Sequence, residues 1–316
     1  MKDLSIVIVN WNTCDYLKNC LNSVISNIKN INYDILVFDN NSKDNSIELL
    51  KTKFPNVKLY HSSINIGFGK ANNVLIKNCD SEFILILNPD TLFLNDSFED
   101  MFYYFKNHPK FGALGCKILN TDNSIQYTCT RSFPDLWTVF CEQTFLYSIF
   151  KNSKLFAKHL MTYWDHNDIR NIDLLSGAMI LTRKSTLTNV NNFDEDYFMY
   201  GEDIDLCWKI KQAGWDIVFY PFFKIIHYGG KSTIQSFENN FFYSYVTLEL
   251  FFSKYKPSLY MHVFRLFVIT GSFIRILFTL PLMLVSNKNK CHILILRLKV
   301  YLKVILKFIG FARITQ

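Results

Sequence analysis

Four short apolar runs punctuate the first ninety residues: "LSIVIV" (4–9), "DILVF" (34–38), "VKLY" (57–60) and "FILIL" (83–87). Each is rich in β-branched residues and apolar on both faces, which suits a strand covered from two sides. The segments between them, 13–28, 44–54 and 69–77, are helix-compatible, so the pattern predicts an α/β domain with a mainly parallel sheet flanked by helices. Ligands of such sheets bind beyond the carboxyl ends of the strands. Those ends read Asn10-Trp11-Asn12, Asp39-Asn40-Asn41-Ser42, Asn65-Ile66-Gly67 and Asn88-Pro89-Asp90. Any one of them is ordinary turn chemistry, but four amide-rich or acidic ends at one sheet edge point to a site. Further strands are expected within 111–125 and 172–183, the latter reading "NIDLLSGAMILT". Between them, 130–170 is irregular and aromatic and suits a variable lid.

The chain has 316 residues, 49% hydrophobic and 19% charged, enough for one large domain plus an appendage. Its eight cysteines include no CxxC pair, and no apolar signal segment opens the sequence; reduced thiols in a cytosolic compartment are expected. The net charge of +7 hides a division. Residues 1–253 carry 23 Lys and Arg against 27 Asp and Glu, whereas 254–316 carry 11 Lys and Arg and no acid. Such a tail works against an anionic surface. It is also very apolar ("FRLFVITGSFIRILFTLPLMLV", "CHILILRLKVYLKVILKFIGF"), which favours a membrane surface over nucleic acid. Lys299, Lys303 and Lys307 would form a basic stripe on an apolar helix, the pattern of an interfacial helix at anionic lipid. Residues 264–285 approach spanning length, but Arg265, Arg275 and Pro281 argue for lying in the interface. The alternative is that these helices pack as a dimer interface. The expected division is a catalytic domain over 1–250 and a basic, apolar, amphipathic helical extension over 251–316.

Neither GxGxxG after the first strand nor GxxxxGK[ST] is present, which weighs against a dehydrogenase and a P-loop NTPase. Asp90 has two readings. It can cap the following helix, or it can bind Mg²⁺ or Mn²⁺ as one carboxylate supplemented by substrate phosphates, with Pro89 restricting where it points. In "FDEDYFMYGEDIDLCWKIKQAGW" (193–215), Glu202 and Asp203 would open a helix ended by Gly214, with Leu206, Ile210 and Ala213 on one stripe. These acids either decorate a helix start or project a general base; together with Asp194, Glu195, Asp196 and Asp205 they exceed what a helix start needs. His227, in "KIIHYGG", is either a structural histidine or a metal or phosphate contact.

Taken in order, "SIVIVNWN", "VFDNNSKDNS", "NIGFGKANN", "LILNPD", "SGAMILTRKS", "FDEDYFMYGEDIDLCWK" and "IIHYGGKS" resemble the family 2 glycosyltransferases, more closely their rhamnosyltransferase-like branch. The resemblance covers residues 4 to about 232. It implies a GT-A fold, a nucleotide-diphosphate sugar donor, a divalent metal (Mg²⁺ or Mn²⁺) and inversion at the anomeric carbon. Asp39 would contact the base or ribose, with Asn10 and Asn12 lining the same pocket. Asn65, Gly67, Asn72 and Asn88 would support donor binding, and Asp90 would be the last acid of the metal-binding element, here spelled "NPD". Asp203, with Glu202 beside it, would supply the catalytic base, and His227 would close over metal and diphosphate. Acceptor contacts would fall to Gly177, Tyr200 and Trp208, and to the 130–170 segment. Where relatives commonly carry arginine, Lys209 keeps the charge but loses the bidentate fork. The implied reaction extends a lipid-linked glycan at the cytoplasmic membrane face during cell-surface polysaccharide synthesis, the enzyme being peripheral or monotopic and a homo-oligomer being possible. A dTDP-rhamnose donor is the first expectation; another UDP or dTDP hexose, galactofuranose, or a non-catalytic nucleotide-binding scaffold are the alternatives.

Overall fold

The structure is a computed structural model that describes residues 2–94, 97–229, 237–285 and 287–310. Its chain divides into two compact units, residues 1–133 with 165–232, and residues 134–164 with 233–316.

The first unit contains β1 (Leu4–Asn10), α1 (Cys14–Asn27), β2 (Tyr33–Asp39), α2 (Ser46–Lys53), β3 (Lys58–His61), α3 (Phe68–Lys77) and β4 (Phe83–Leu87). β5 (Thr91–Phe93), α4 (Phe98–Lys106), β6 (Phe111–Leu119) and β7 (Thr130–Arg131) follow. In the second unit, α5 (Leu136–Gln143) and α6 (Leu146–Ile149) come next. The first unit resumes with β8 (Arg170–Asn171), β9 (Leu174–Leu175), β10 (Met179–Arg183), α7 (Lys184–Asn189), α8 (Glu202–Gln212) and β11 (Asp216–His227). The second ends with α9 (Phe237–Tyr255), α10 (Ser258–Leu284) and α11 (Lys288–Ile309).

The main sheet runs β3-β2-β1-β4-β10-β6-β11-β5, with β8 added on β11. β1 and β4 are buried along their whole length, as two-sided apolarity predicts. β3, β2, β1 and β4 pair in parallel. β10 is antiparallel to both β4 and β6, and β6 is parallel to β11. Six strands therefore point one way, with β10 reversed between them and β5 reversed at the edge. β10 ("MILTR") is as buried as its parallel neighbours, so its apolar pattern carries no sign of direction. A register shift between Tyr220 and Lys224 bends β11 at Pro221, a residue that cannot donate to the ladder. Phe93, Phe98 and Phe223 pack ring to ring beneath this edge.

In the second unit Asp135 starts α5 with a reciprocal capping box to Thr138. The segment expected to be an irregular lid therefore contains helix, and α5 packs on α10. A Cβ at Gly271 would overlap Gln143, so glycine permits this close approach. α10 buries a stripe of Met261, Phe264, Val268, Ser272, Arg275 and Thr279. Arg275 sits inside, donating to Gln143 Oε1 at 2.6 Å and to the Glu142 carbonyl at 3.0 Å, and Arg265 pairs with Glu249 at 2.6 Å. The helical unit thus begins before the compositional change near 255 and takes in the aromatic 134–164 stretch.

Candidate active site

The sheet gathers its polar ends at one edge. Asn10 and Asp39 are paired across β1 and β2 and are both fully buried. Asn10 Nδ2 donates to Asp39 Oδ2 (3.0 Å) and Ser42 Oγ (3.1 Å), while Asp39 Oδ1 accepts the Ser42 N–H (2.9 Å). Asn12 takes the left-handed region that asparagine tolerates (φ 53°) and its Oδ1 accepts the Lys43 N–H at 2.6 Å. These residues brace the first two loops against each other; Asn10 and Asp39 are buried, whereas Asn12 and Ser42 are half-exposed.

Asn65 Oδ1 accepts from Asn40 Nδ2 (2.8 Å) and from the Gly67 N–H (2.9 Å). Gly67 caps α3 at φ 86°, and a Cβ there would lie 2.6 Å from the Phe198 carbonyl oxygen. That carbonyl instead accepts the Phe68 N–H at 3.0 Å. Asn73 ties the same acidic loop down, donating to the Phe193 carbonyl (2.9 Å) and accepting its N–H (3.0 Å). Asn72 is buried; its Nδ2 donates to the Phe68 carbonyl at 3.0 Å, and its Oδ1 has no partner among the described residues.

Two consecutive left-handed residues, Tyr200 (φ 66°) and Gly201 (φ 82°), turn the acidic loop sharply into α8. Such a conformation costs a non-glycine residue about 1 kcal/mol or more. The turn delivers Glu202 and Asp203 as the first residues of α8, at the positive end of its dipole. Asp203 Oδ1 accepts the Ile204 N–H (2.9 Å) and Oδ2 accepts from Arg131 Nη2 (2.6 Å), both side chains about 15% exposed. Glu202 is 8% exposed and its Oε2 has no hydrogen-bond partner among the described residues. Burial, and next the Asp203 charge, push its pKa up to about 8, against a smaller opposing pull from Arg131. Lys209 makes single-point contacts, to Asp205 Oδ2 (2.9 Å) and the Asn192 carbonyl (2.8 Å), and pins α8 to the loop before it. Leu206 and Ile210 are buried as the stripe predicts, whereas Ala213 is exposed at the helix cap.

Gly177 links the acids to the metal-type residues. A Cβ on it would stand 3.7 Å from Asp203 Cβ and 3.9 Å from the Phe68 ring, and the next residue, Ala178, accepts the Asn88 N–H at 2.9 Å. Two residues on, Asp90 is 5% exposed, with Oδ1 3.3 Å from His227 Nε2. The pairing of β5 with β11 sets His227 opposite Thr91, and the Tyr228 N–H donates to the Asp90 carbonyl at 3.0 Å. Asn88 Nδ2 lies 3.4 Å from the same ring nitrogen, and Asn88 Oδ1 is buried without a partner among the described residues. Trp208 packs its ring edge-on to Phe133 at 5.0 Å. In the "IIHYGGKS" stretch, residues 230–232 lie outside the described ones.

Among the described residues no three His, Cys, Asp or Glu side chains gather around one point. The Asp90–His227 spacing nonetheless suits neighbouring ligands of one small divalent ion, since bonds of about 2.1 Å at a right angle set donor atoms about 3 Å apart. The unpartnered Asn88 oxygen adds a hard donor beside them. These residues fit a metal whose remaining ligands come from a substrate.

Two residues of the site were not singled out in the sequence, Arg131 and Gln126. Arg131 meets Asp203 across 72 positions, and Gln126 Oε1 meets His227 Nδ1 (2.8 Å) across 101. Both lie between 120 and 131, where no periodic pattern marks a strand or helix.

Residues 5–175 match the family model described as glycosyl transferase family 2. The chain is 27% identical over 227 residues to an N-acetylglucosaminyl-diphospho-decaprenol L-rhamnosyltransferase of Mycobacterium tuberculosis (strain ATCC 25618 / H37Rv), covering 63% of this chain and 67% of that protein. It is 29% identical over 243 residues to the rhamnosyltransferase WbbL of Escherichia coli (strain K12), covering 75% and 87%. A solved mannosyltransferase, PcManGT from Pyrobaculum calidifontis in complex with GDP-Man and Mn²⁺, shares the fold with a TM-score of 0.60 at 12% identity, over 99% of this chain and 90% of that one. The reversed strand within a mostly parallel sheet is thus the GT-A architecture, and the chain is a glycosyltransferase that belongs to glycosyl transferase family 2.

Proposed function

We propose that the protein is an inverting, metal-dependent glycosyltransferase that moves L-rhamnose from a dTDP donor to a lipid-linked glycan, in the synthesis of a cell-surface polysaccharide. The observation that carries the reading is the convergence of Asn88, Asp90 and His227 at the sheet edge beside Gly177, where an added Cβ would stand 3.7 Å from Asp203 Cβ. The names of the two rhamnosyltransferase relatives support the sugar, and that of the mycobacterial one supports an acceptor on a polyprenyl diphosphate. The donor's nucleotide would lie over the loops after β1 and β2, with the half-exposed Asn12 and Asn65 in reach and the buried Asn10, Asp39 and Asn72 behind them.

Asp90 and His227 would hold Mg²⁺ or Mn²⁺, with Asn88 beside them. When bound, such an ion neutralises charge developing on a departing diphosphate. Asp203 serves as the base. It takes the proton of the acceptor hydroxyl while that oxygen bonds to the anomeric carbon; the bond from that carbon to the diphosphate breaks, and the nucleoside diphosphate leaves with the electron pair. One displacement inverts the centre and requires no nucleophilic side chain. Arg131 holds one Asp203 oxygen in place. Glu202, with its pKa raised to about 8, carries its own proton at neutral pH and shapes the base's surroundings instead of acting as the base. Gly177, Tyr200 and Trp208 border the acceptor side in this reading.

The helical unit would hold the enzyme at the cytoplasmic face of the membrane. α10 is long and apolar enough to cross a bilayer, yet Arg275 is buried within the unit and Arg265 is paired. Leu259, Leu266, Phe273, Leu277 and Phe278 face outward, and Lys299 and Lys303 on α11 are exposed. This combination favours a helix lying in the interface of an anionic leaflet. A second copy of the chain is the other occupant such a face could take.

The test uses the purified full-length protein with Mn²⁺ or Mg²⁺ and a panel of nucleotide sugars. Turnover is expected with dTDP-rhamnose, and Asp203→Asn should lose roughly 10²–10⁴-fold in rate while still binding donor. Unchanged turnover in Asp203→Asn removes the proposed base, and turnover with a different sugar alone removes the proposed donor.

A further inference from the structure

A relay of hydrogen bonds behind His227 determines where its ring proton sits. It begins at the Asp122 carboxylate, which can only accept, and which takes the Ser124 hydroxyl proton at 2.6 Å. With its proton committed, Ser124 Oγ accepts from Asn120 Nδ2 (2.9 Å), and the same amide nitrogen reaches the Ile125 carbonyl at 3.4 Å. Asn120 Oδ1 is thereby left as an acceptor, and Gln126 Nε2 donates to it at 3.1 Å. Gln126 Nε2 also reaches the His227 carbonyl at 3.4 Å. Turning the Gln126 amide over would set its oxygen against two other oxygens, so one orientation is selected. In that orientation Gln126 Oε1 faces His227 Nδ1 at 2.8 Å. An amide oxygen only accepts, so Nδ1 carries the proton. On the far side of the ring the Asn88 amide lies 3.4 Å from Nε2.

We propose that Gln126 is a positioning residue that holds His227 in the Nδ1–H tautomer, so that the Nε2 lone pair stays directed at the Asp90 carboxylate. The chemical partner this arrangement serves is a divalent cation. A proton on Nε2 would be donated to Asp90 Oδ1, 3.3 Å away, and would occupy both groups at once. With the proton on Nδ1, both present lone pairs to the same point. Metal-binding imidazoles usually donate their other N–H to a fixed oxygen, and loss of that partner costs roughly 10–100-fold in affinity or activity. The inference rests on reading Asp90 and His227 as the metal pair.

The test labels the histidine rings of the full-length protein with ¹⁵N; there are seven, and His227→Gln assigns the signal. The wild-type ring is expected to be protonated on Nδ1. Gln126→Leu should move the proton to Nε2, and Gln126→Glu, whose carboxylate still accepts at Nδ1, should keep it in place. Alongside, Mn²⁺ binding is measured by paramagnetic resonance in the presence of dTDP. The leucine variant should bind roughly 10–100-fold more weakly and the glutamate variant no more weakly than wild type. A wild-type ring protonated on Nε2, or a leucine variant with its proton still on Nδ1, overturns the assignment. A moved proton with unchanged Mn²⁺ affinity overturns the role toward the cation. Wild-type protein that shows the Nδ1–H tautomer but binds no Mn²⁺ overturns the metal reading and leaves the tautomer assignment standing. Should the leucine variant not fold, the wild-type spectrum and the glutamate variant still decide the matter.

Discussion

Replacing Glu202 by glutamine tests the electrostatics at the start of α8 directly. Glu202 is 8% exposed and one of its oxygens has no partner among the described residues. Burial and the adjacent Asp203 raise its pKa from 4.5 to about 8. Between those values the folded protein holds a proton on Glu202 that the unfolded chain has released. The native state then binds more protons, so this residue's contribution to stability is full below about pH 4.5 and is lost as pH rises toward 8, by up to about 1.4 kcal/mol per unit. Glutamine keeps the shape and cannot ionise. The stability of wild type relative to Glu202→Gln should therefore fall by about 2–3 kcal/mol from pH 5 to pH 7 and level off above pH 8. Urea unfolding of the two full-length proteins, followed through amide-exchange protection of the α8 peptide, measures the difference at each pH. Groups that titrate identically in both proteins cancel. A difference that does not change between pH 5 and 8 would show that Glu202 is ionised in the folded state, and the case for Asp203 as the only base of the pair would fall with it.

Two further substitutions probe the frame around the site and the membrane face. Gly67→Ala must place a Cβ 2.6 Å from the Phe198 carbonyl at φ 86°; it should cost about 1–3 kcal/mol and weaken dTDP binding, and an unchanged melting temperature would mean that the acidic loop does not bear on α3. Lys299→Gln and Lys303→Gln should each weaken sedimentation with anionic vesicles by about fivefold, the equivalent of about 1 kcal/mol per lysine, whereas insensitivity to both, together with a dimer in solution, would assign the apolar face to a second copy of the chain.

Strands β1, β2 and β4 were legible because their runs are nearly all apolar and each stops at an amide or acid, and β4 occupies the expected 83–87 without adjustment; β3 ("KLYH") carries Lys58 and His61, lies at the sheet edge and is only partly covered. α8 was legible from its acids, its buried Leu206 and Ile210, and Gly214. Arg131 and Gln126 were not, because nothing local marks them. One sits in the two-residue β7 and the other beside an isolated bridge between Leu119 and Ile125, and their value lies in partners 72 and 101 residues away. α5 left a trace that periodicity alone passes over, Asp135 three residues before Thr138 ahead of an apolar run. Its assignment to the helical unit depends on Gly271, 136 positions after Asp135, where the absence of a side chain lets the two helices touch.

The direction of β10 was the least legible feature of the sheet and is the one that assembles the site. β1, β2, β4, β6 and β11 all deliver their carboxyl ends to one edge, so Asn10, Asp39, Asn88 and His227 gather there by topology. A parallel β10 would place its first residue at the opposite edge. Because it runs antiparallel, Met179 pairs with Leu87, and the Gly177–Ala178 turn that precedes it stands beside Asn88. Asp203 stands next to that turn, 3.7 Å from where a Cβ on Gly177 would be. The reversal therefore joins two groups that strand ends alone would not bring together: the metal-type residues that follow β4 and end β11, and the carboxylates that open α8. A buried, two-sided apolar strand reads the same in either direction, so a sequence can display both groups and still leave unstated the strand that sets them side by side.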